Sequence, residues 1–402
     1  MFRRIYLDNS ATTPADKDVV AAMLPYLTEK FGNASSIHYF GQEARAAVDK
    51  ARHQVADLIN ARPNEIVFTS GGTEANNLAI RGLLEARQKP DRDGGFERHI
   101  IASAIEHSAV KNVCEDLEKQ GAQVTYLPVY ENGIVRVEDL KASIRNETVL
   151  ISIMMANNEI GTLQPVVEIG RLVKNLRAEG RKLWFHTDAV QAVGKIPVDV
   201  EEIGCDLLSL SAHKIYAPKG SGALYVRRGV RLHPQNLGGH QERERRGGTE
   251  AVPFIAAFGK ACELAKERLS ESSLRLGELR DRFEQGVAER VPEMTLNGDA
   301  MHRLPNISNI SFRFIEGEGL LINLDMQGIA VSTGSACSSG SLEPSPVIRA
   351  LGRNDELARG AVRFSFGLGN TADDVDRVLD ILPKSVENLR RLSPLYKQTS
   401  AV

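Results

Sequence analysis

Several short apolar runs in this sequence end in residues that could carry chemistry. In residues 69–74 (TSGGTE), two glycines allow a tight turn, and the helix that follows begins with unpaired N–H groups. With the Thr73 hydroxyl beside them, these groups suit a phosphate, although a plain turn closed by a threonine cap explains the segment equally well. No Gly-Lys-Ser/Thr sequence follows, which argues against a nucleotide P-loop.

A carboxylate ends a second apolar run. Asp188 closes the run that begins at Trp184, and this position lies at the ligand-binding edge of a parallel sheet. A carboxylate there could pair with a protonated pyridine nitrogen and keep its positive charge. Taken alone, Asp188 is more simply explained as the cap of the next helix.

A lysine follows a third apolar run, directly after Ser211 and His213. Lys214 in this setting suits covalent attachment of a carbonyl cofactor, with the serine and the histidine donating to a nearby phosphate. A lone lysine in a loop is usually solvated. Here Gly220 and Gly222 lead at once into another strand, which indicates that Lys214 lies between two buried elements.

A cysteine among small polar residues marks the fourth segment, residues 331–341 (VSTGSACSSGS). This setting of Cys337 is unlike a protein core, and a thiol on a loop can act as a nucleophile where its pKa is lowered. Core packing explains the other three cysteines: Cys114, Cys205 and Cys262. The cysteines show no metal-ligand spacing and no disulfide pattern, which predicts a reducing, cytoplasmic setting and no metal site.

The elements that must position these residues alternate between strands and helices. Strands are predicted at 65–69, 99–104, 124–129, 149–154, 182–186, 206–211 and 223–227, with helices between several of them at 74–88, 109–120 and 166–179. This order predicts a mainly parallel sheet of seven strands with helices on its faces, whose ligands lie at the carboxyl ends of the strands.

The rest of the chain predicts a smaller α+β domain. A charged helix at about 253–290 joins it to the sheet, and further strands are predicted at 307–314, 329–332 and 361–366. The expected division is a large domain at 15–260 and a small domain made of 1–14 and 261–402. The sequence does not decide which lobe the first dozen residues pack against. Residues 88–98 are predicted to form a surface loop.

Composition excludes several classes of protein. The 402 residues carry a formal net charge of -2, with 42% hydrophobic and 25% charged residues, which is typical of a globular protein with a large core. No strong positive field favours direct binding of nucleic acid. A membrane span would need about 18 consecutive apolar residues, and there is no such run; the N-terminus also lacks the pattern of a signal peptide.

Taken together, the motifs resemble the cysteine desulfurases of the class V aminotransferase family, which use pyridoxal phosphate (PLP) and have the aspartate-aminotransferase (type I) fold. The loop around Cys337 resembles the NifS/IscS-like group. The matching strings run nearly end to end: YLDNSATTP near the start, GNASSIH at 32–38, FTSGGTEANNLAI at 68–80, IEHSAV at 105–110, NNEIG at 157–161, HTDAVQAVGK at 186–195, SLSAHKIYAPKG at 209–220, RGGT at 246–249, STGSACSSGSLEPS at 332–345 and VRFSFG at 362–367.

The resemblance implies roles for individual residues. Lys214 matches the lysine that binds PLP and moves the substrate α-proton, and Cys337 matches the cysteine that carries a persulfide. His107 matches the histidine stacked on the cofactor ring, and Arg363 matches the arginine that binds the substrate carboxylate. The remaining cofactor contacts implied are Asp188 at the pyridine nitrogen, Gln191 and Asn158 near the ring oxygen (Asn158 also near substrate), Gly72, Thr73, Ser211 and His213 at the phosphate, and Thr249 at the phosphate of a neighbouring subunit.

The implied reaction converts L-cysteine to L-alanine and leaves a persulfide on Cys337. A homodimer is implied by Thr249, and the sulfur would pass to an acceptor such as an iron–sulfur scaffold or a tRNA-thiolation protein. Another class V enzyme, a selenocysteine lyase or an aminotransferase, is the alternative within the family. A non-catalytic scaffold and a Rossmann dehydrogenase are the alternatives outside it; the second lacks the expected GxGxxG motif.

Overall fold

The computed structural model describes residues 4–86, 98–333, 344–394 and 396. Within these residues, strands form a seven-stranded, a three-stranded and a two-stranded sheet. The strands are β1 (Ile5–Tyr6), β2 (Ile66–Thr69), β3 (His99–Ser103), β4 (Gln123–Leu127), β5 (Thr148–Ser152), β6 (Trp184–Asp188), β7 (Leu207–Ser211), β8 (Gly222–Val226), β9 (Met294–Leu296), β10 (Ile307–Phe312), β11 (Ile329–Ala330) and β12 (Ala361–Ser365).

Helices cover the sheets and connect them. The helices of the described ranges are α1 (Lys17–Met23), α2 (Pro25–Thr28), α3 (Tyr39–Leu58), α4 (Gly72–Glu85), α5 (Ser108–Lys119), α6 (Val137–Ser143), α7 (Val166–Ala178), α8 (Val200–Ile203), α9 (Gln241–Glu244), α10 (Val252–Arg290), α11 (Gly317–Asp325), α12 (Pro346–Ala350), α13 (Asp355–Arg359) and α14 (Ala372–Leu392). None of the helices in these ranges has an apolar stretch long enough to cross a bilayer.

The large sheet gathers the strand ends at one edge. Its order is β2-β8-β7-β6-β5-β3-β4; β8 is antiparallel to both of its neighbours and the other pairs are parallel. Since β8 reverses the direction between β2 and β7, β2 points the same way as the parallel strands. The carboxyl ends of β2, β3, β5, β6 and β7 therefore lie along the same edge, which confirms the predicted, mainly parallel sheet of seven strands.

Alternate side chains of the large sheet enter two different cores. Along β3, Ile101 packs into the cluster on one face, whereas Ile100 packs into the cluster on the other. Leu207 and Leu208 of β7 divide in the same way. Because both faces are covered by helices, these strands are apolar at nearly every position, as is typical of buried parallel strands.

A separate apolar cluster stabilises the small lobe. Phe283 of α10 contacts Phe364 of β12, with ring centroids 4.7 Å apart, and Val378 of α14 is fully buried in the same cluster. Ile5 and Leu7 also belong to it, because β1 pairs with β11. The first residues of the described chain therefore pack into the small lobe.

The long helix α10 connects the two lobes. It packs against α3 and α1 near the large sheet and against α14 in the small lobe. Phe258 of α10 and Ile307 of β10 both belong to the core cluster under the large sheet, so apolar packing crosses the predicted boundary. The division into 15–260 on one side and 1–14 with 261–402 on the other stays a prediction.

Most predicted elements agree with the structure to within a few residues. The helix predicted at 74–88 runs from Gly72 to Glu85, and the strand predicted at 307–314 ends at Phe312. The left-handed backbone of Phe314, with φ of 67°, lies just beyond that end. The predicted loop at 88–98 lies almost wholly outside the described residues.

Candidate active site

A cavity of about 330 Å³ lies at the carboxyl edge of the large sheet, and we call it the active-site cavity. It is lined by residues that follow β2, β3, β5, β6 and β7, together with one residue of β12 and part of the N-terminal segment. Ten residues predicted from the sequence line it: Gly72, Thr73, His107, Asn158, Asp188, Gln191, Ser211, His213, Lys214 and Arg363.

Lys214 enters this cavity from a single 3₁₀ turn directly after β7. Its Nζ donates hydrogen bonds to the carbonyl oxygens of Ser10 and, at 2.8 Å, of Ala11. The N-terminal segment is held against this turn, since Thr13 N donates to the His213 carbonyl at 3.0 Å. The N-terminal segment therefore helps to hold the Lys214 amine where it lines the cavity.

Asp188 ends β6 and is only 6% exposed. Its Oδ2 accepts a hydrogen bond of 2.7 Å from Asn76 Nδ2, and its Oδ1 accepts one of 3.0 Å from Val190 N. Two donors thus fix the plane of a buried carboxylate that faces the cavity. Such a carboxylate suits a cationic ring nitrogen.

His107 is the N-cap of α5, and its Nδ1 accepts a hydrogen bond of 3.1 Å from Ala109 N. Because Nδ1 is an acceptor here, the neutral ring carries its proton on Nε2. Burial lowers the pKa of His107; the positive charge of Lys214 lowers it further, whereas Asp188 opposes the shift. The neutral imidazole is therefore favoured in the cavity.

The first turn of α4 forms an anion cradle with the end of β7. Gly72 begins α4, and a Cβ added to it would lie 2.9 Å from Val190 Cγ2 and 3.4 Å from Ser211 Cβ. A larger residue would fill the space that the N–H groups of the helix start require to reach a ligand. Burial, with Lys214 next, lowers the pKa of His213 to about 4, so this ring is a neutral partner beside Ser211.

Arg363 reaches the cavity from β12 in the small lobe. Its Nη1 donates to the Asn158 carbonyl at 2.8 Å, and its Nη2 donates to Asp8 Oδ1 at 2.8 Å. The guanidinium thus lies between the two lobes. Its position across the cavity from the large sheet suits a substrate carboxylate.

Several buried polar atoms around the cavity have no hydrogen-bond partner within the described residues. They include Gln191 Oε1, Asn76 Oδ1, Ser10 Oγ and Arg363 Nε. All four residues line the cavity. Since buried polar groups in folded proteins are nearly always hydrogen-bonded, these atoms point to a polar guest that can both donate and accept.

Some residues at or next to the site were not predicted from the sequence. Asn76 lies one turn after Gly72 on α4, so the four-residue spacing could have placed both on the face toward the sheet. Ser10 and Ala11 supply carbonyl oxygens to Lys214, and backbone contacts of this kind leave no signal in side-chain types. Glu106 precedes His107, and its Oε1 accepts from Met154 N at 2.9 Å.

Two predicted residues do not line the cavity in the described chain. Thr249 is exposed, and the segment before it is held by Glu242, whose carboxylate is paired with Arg52 at 2.6 Å. The left-handed φ values of Glu242 and Arg243, 49° and 57°, accompany this contact. Cys337 lies outside the described residues.

The comparisons with known proteins agree with this geometry. The family model "Aminotransferase class-V" matches residues 5–378, and the chain belongs to that family. Over 398 residues it is 51% identical to Cysteine desulfurase IscS of Dictyoglomus turgidum, covering 99% of this chain and 98% of the relative. The resemblance inferred from the sequence motifs is therefore confirmed.

Two solved structures resemble the whole fold. A NifS-like protein has a TM-score of 0.88 at 37% identity, covering 96% of this chain and 100% of that chain. The structure titled "SspA in complex with cysteine" has a TM-score of 0.79 at 37% identity, covering 90% of this chain and 98% of the other. The predicted fold class is confirmed, and PLP, on which the class V aminotransferases depend, is the cofactor.

Proposed function

We propose that this protein is a cysteine desulfurase, which converts L-cysteine to L-alanine and retains the sulfur as a persulfide on Cys337. One observation carries the proposal: the Lys214 amine, the Asp188 carboxylate and the Gly72–Thr73 turn line a single cavity of about 330 Å³. These are the amine, the anion and the phosphate cradle that PLP requires. The 51% identity with a cysteine desulfurase over nearly the full chain supports the choice of reaction.

The cavity has residues suited to each part of PLP, its phosphate and its ring. The α4 turn with Ser211 and His213 suits the phosphate, and Asp188 suits the ring nitrogen. The unpartnered Gln191 Oε1 lies in the same cavity, where a polar group of the cofactor would satisfy it. His107, in its neutral form, and Asn158 line the same cavity and would contact the cofactor from there.

PLP supplies an electron sink for the carbanion that forms at the substrate α-carbon. The chain supplies the rest. Lys214 would hold the cofactor through its amine, and the same amine is placed to move the substrate α-proton. Arg363 binds the substrate carboxylate with a planar fork of donors, which fixes the α-carbon beside Lys214. His107, whose neutral ring carries its proton on Nε2, can donate that proton and take it back during the reaction.

Sulfur transfer requires a nucleophile, and Cys337 is the proposed one. The Cys337 thiolate attacks the sulfur of the bound substrate, forming an S–S bond while the substrate C–S bond breaks. The electron pair of the broken bond goes to carbon, which takes up a proton as alanine forms. Burial raises the pKa of Cys114 to about 12, which makes that thiol a poor nucleophile.

The partners follow from this chemistry. L-cysteine is the proposed substrate, and an external sulfur acceptor, such as an iron–sulfur scaffold or a tRNA-thiolation protein, would discharge the persulfide. The exposed Thr249 supports a homodimer, because it lies outside its own active-site cavity and is free to contact a neighbouring one. A reducing cytoplasm suits a protein whose described cysteines are all unpaired.

Mass spectrometry after treatment with L-cysteine tests the proposal. We expect the peptide that contains Cys337 to gain one sulfur atom, with one alanine formed and no keto acid required. Cys337→Ser should keep the visible absorbance of bound PLP and lose sulfide release, whereas Cys114→Ser serves as the matched control and should keep both. Full desulfuration by Cys337→Ser would overturn the role of Cys337. Alanine formation that depends on a keto acid would favour an aminotransferase, and activity restricted to selenocysteine would favour a lyase.

A further inference from the structure

A second lysine lies directly behind Lys214. Lys195 is only 7% exposed and follows β6 by seven residues, in the turn that carries Gln191. Its Nζ donates to the Gln191 carbonyl at 3.1 Å and, at the longer distance of 3.5 Å, to the Lys214 carbonyl. One ammonium group therefore contacts the backbone of two residues whose side chains enter the active-site cavity.

No carboxylate forms an ion pair with Lys195 in the part of the chain that the structure describes. Asp16 lines the same small space, but its carboxylate is bound to Arg268 at 2.7 Å. A buried lysine that has only carbonyl oxygens as partners is unusual, because burial penalises an ammonium group that lacks an anion. Its position needs an explanation beyond packing.

The small space is a second cavity of about 30 Å³, which we call the rear cavity. It is large enough for a water molecule. Lys195 and Lys214 both line it, and Lys214 also lines the active-site cavity. Lys214 thus separates the cofactor side from the side that Lys195 occupies.

Lys195 and Lys214 are close enough that the protonation of one affects the protonation of the other. The titratable groups that border the rear cavity are Lys214, Asp16, Arg268 and Tyr216, and His213 lies next to Lys214. Burial and, as the smaller cause, the positive charge of Lys214 together lower the pKa of Lys195 to about 7. By reciprocity, a proton on Lys195 disfavours a proton on the Lys214 nitrogen.

We propose that Lys195 is a positioning residue for Lys214: it holds the backbone of Gln191 and Lys214 together, and its positive charge reduces the proton affinity of the Lys214 nitrogen. The inference rests on the proposed function, since it assumes that Lys214 binds PLP. A lysine placed beside a cofactor-binding lysine lowers the proton affinity of that nitrogen in the same way that any neighbouring cation does.

Lys195→Met tests this, because methionine has a similar length but carries neither charge nor donor. The measurement is the absorbance of the PLP-bound enzyme as a function of pH, which follows the proton on the Lys214 nitrogen. We expect the midpoint to move upward by about half a pH unit or more, together with faster loss of PLP. A purely structural role would lower PLP retention and leave the midpoint in place, and that result would overturn the proposal.

Two further variants keep the test decisive. Lys195→Gln retains a donor without the charge, so its midpoint should also rise, and it replaces Lys195→Met if the latter does not fold. Lys266→Met removes an exposed lysine of α10 that is paired with Asp57 of α3 and does not line the rear cavity, and its midpoint should equal that of the parent. Failure of the parent to bind PLP at all would instead refute the proposed function, which separates the two outcomes.

Discussion

Arg363 Nη2 lies 2.8 Å from Asp8 Oδ1, although 355 residues separate them in the sequence. The contact joins β12 of the small lobe to the segment that leads toward Ser10 and Lys214. Asp8 therefore orients the guanidinium that we propose as the substrate-binding group. An anionic partner of this kind also balances the charge of the arginine before substrate arrives.

Arg363→Lys should raise the KM for L-cysteine by about tenfold to a hundredfold. A lysine offers a point charge in place of the planar fork, and the loss of a charge-assisted hydrogen bond costs about 1.5–3 kcal/mol. The absorbance of bound PLP should not change. Steady-state kinetics across a range of cysteine concentrations provide the measurement.

Asp8→Asn is the matched variant for this prediction. It keeps the shape of Asp8 and removes only its charge, so the KM should stay at or below the parental value. If Arg363 served only to hold Asp8, both variants would lose thermal stability to a similar degree and neither would change the KM. That pattern would contradict the substrate-binding role of Arg363.

Asn76→Ala should lower the kcat/KM for L-cysteine by about fourfold to tenfold. The substitution removes the 2.7 Å hydrogen bond from Asn76 Nδ2 to Asp188 Oδ2, and the carboxylate loses one of the two donors that fix its plane. One hydrogen bond to a buried charged group is worth about 1.5–3 kcal/mol, of which we expect roughly half to appear in the reaction. The exposed Asn175→Ala on α7 is the control.

A double-mutant cycle with Asp188→Ala tests whether Asn76 acts through Asp188. If Asn76 orients Asp188, the effect of Asn76→Ala should largely vanish in an Asp188→Ala background, because the two residues then act as one unit. Independent effects that simply add would contradict the contact. Kinetics of the two single variants and the double variant complete this cycle.

The position of the site was predictable because the sheet imposes it. Asp188 and Lys214 follow apolar strands, and the carboxyl ends of parallel strands meet at one edge, so their sequence context already placed them together. Gly72 was identifiable for a related reason, since a glycine at the start of a helix after a strand leaves room for an anion. Arg363 was predicted only through the family resemblance. It lies on β12 of the small lobe, and the rule that ligands lie at the carboxyl ends of parallel strands concerns the large sheet alone.

The contacts behind and beside these residues were not predictable from the sequence. The role proposed for Lys195 depends on the contacts of its Nζ with the carbonyl oxygens of Gln191 and Lys214. These contacts depend on how two turns pack together, which the sequence does not show. β9 (Met294–Leu296) was missed for a different reason: its three residues are all half-buried and show no alternation. Thr249 and Cys337 stay predictions, the first awaiting a partner subunit and the second lying outside the described residues.

Glu106 has the features of a buried carboxyl group that stays protonated, and so neutral, in the folded protein. Its pKa is raised to about 8, mainly by burial; the hydrogen bonds from Ser103 and Met154 oppose the shift, and the negative charge of Asp188 contributes to it. Its Oε1 accepts from Ser103 Oγ at 2.6 Å and from Met154 N at 2.9 Å, whereas Oε2 has no partner within the described chain. The group ties the turn before His107 to the end of β5.

Glu106→Gln should therefore change how stability depends on pH. In the folded protein the carboxyl keeps its proton up to about pH 8, whereas in the unfolded chain it loses the proton near its ordinary pKa of 4.5. Between pH 4.5 and pH 8 the unfolded state binds fewer protons than the folded state. The contribution of Glu106 to the free energy of unfolding is therefore fully present below pH 4.5 and is lost as the pH rises toward 8. Glutamine keeps the acceptor oxygen for both donors but does not titrate, so the variant should lose less unfolding free energy between pH 5 and pH 8 than the parent, with a difference of a few kcal/mol at ~1.4 kcal/mol per pKa unit.

Urea unfolding of the PLP-bound proteins at the two pH values measures this difference, and Glu131→Gln, at an exposed position, should keep the parental dependence. Equal losses in Glu106→Gln and the parent would mean that the Glu106 carboxyl is ionised in the folded protein.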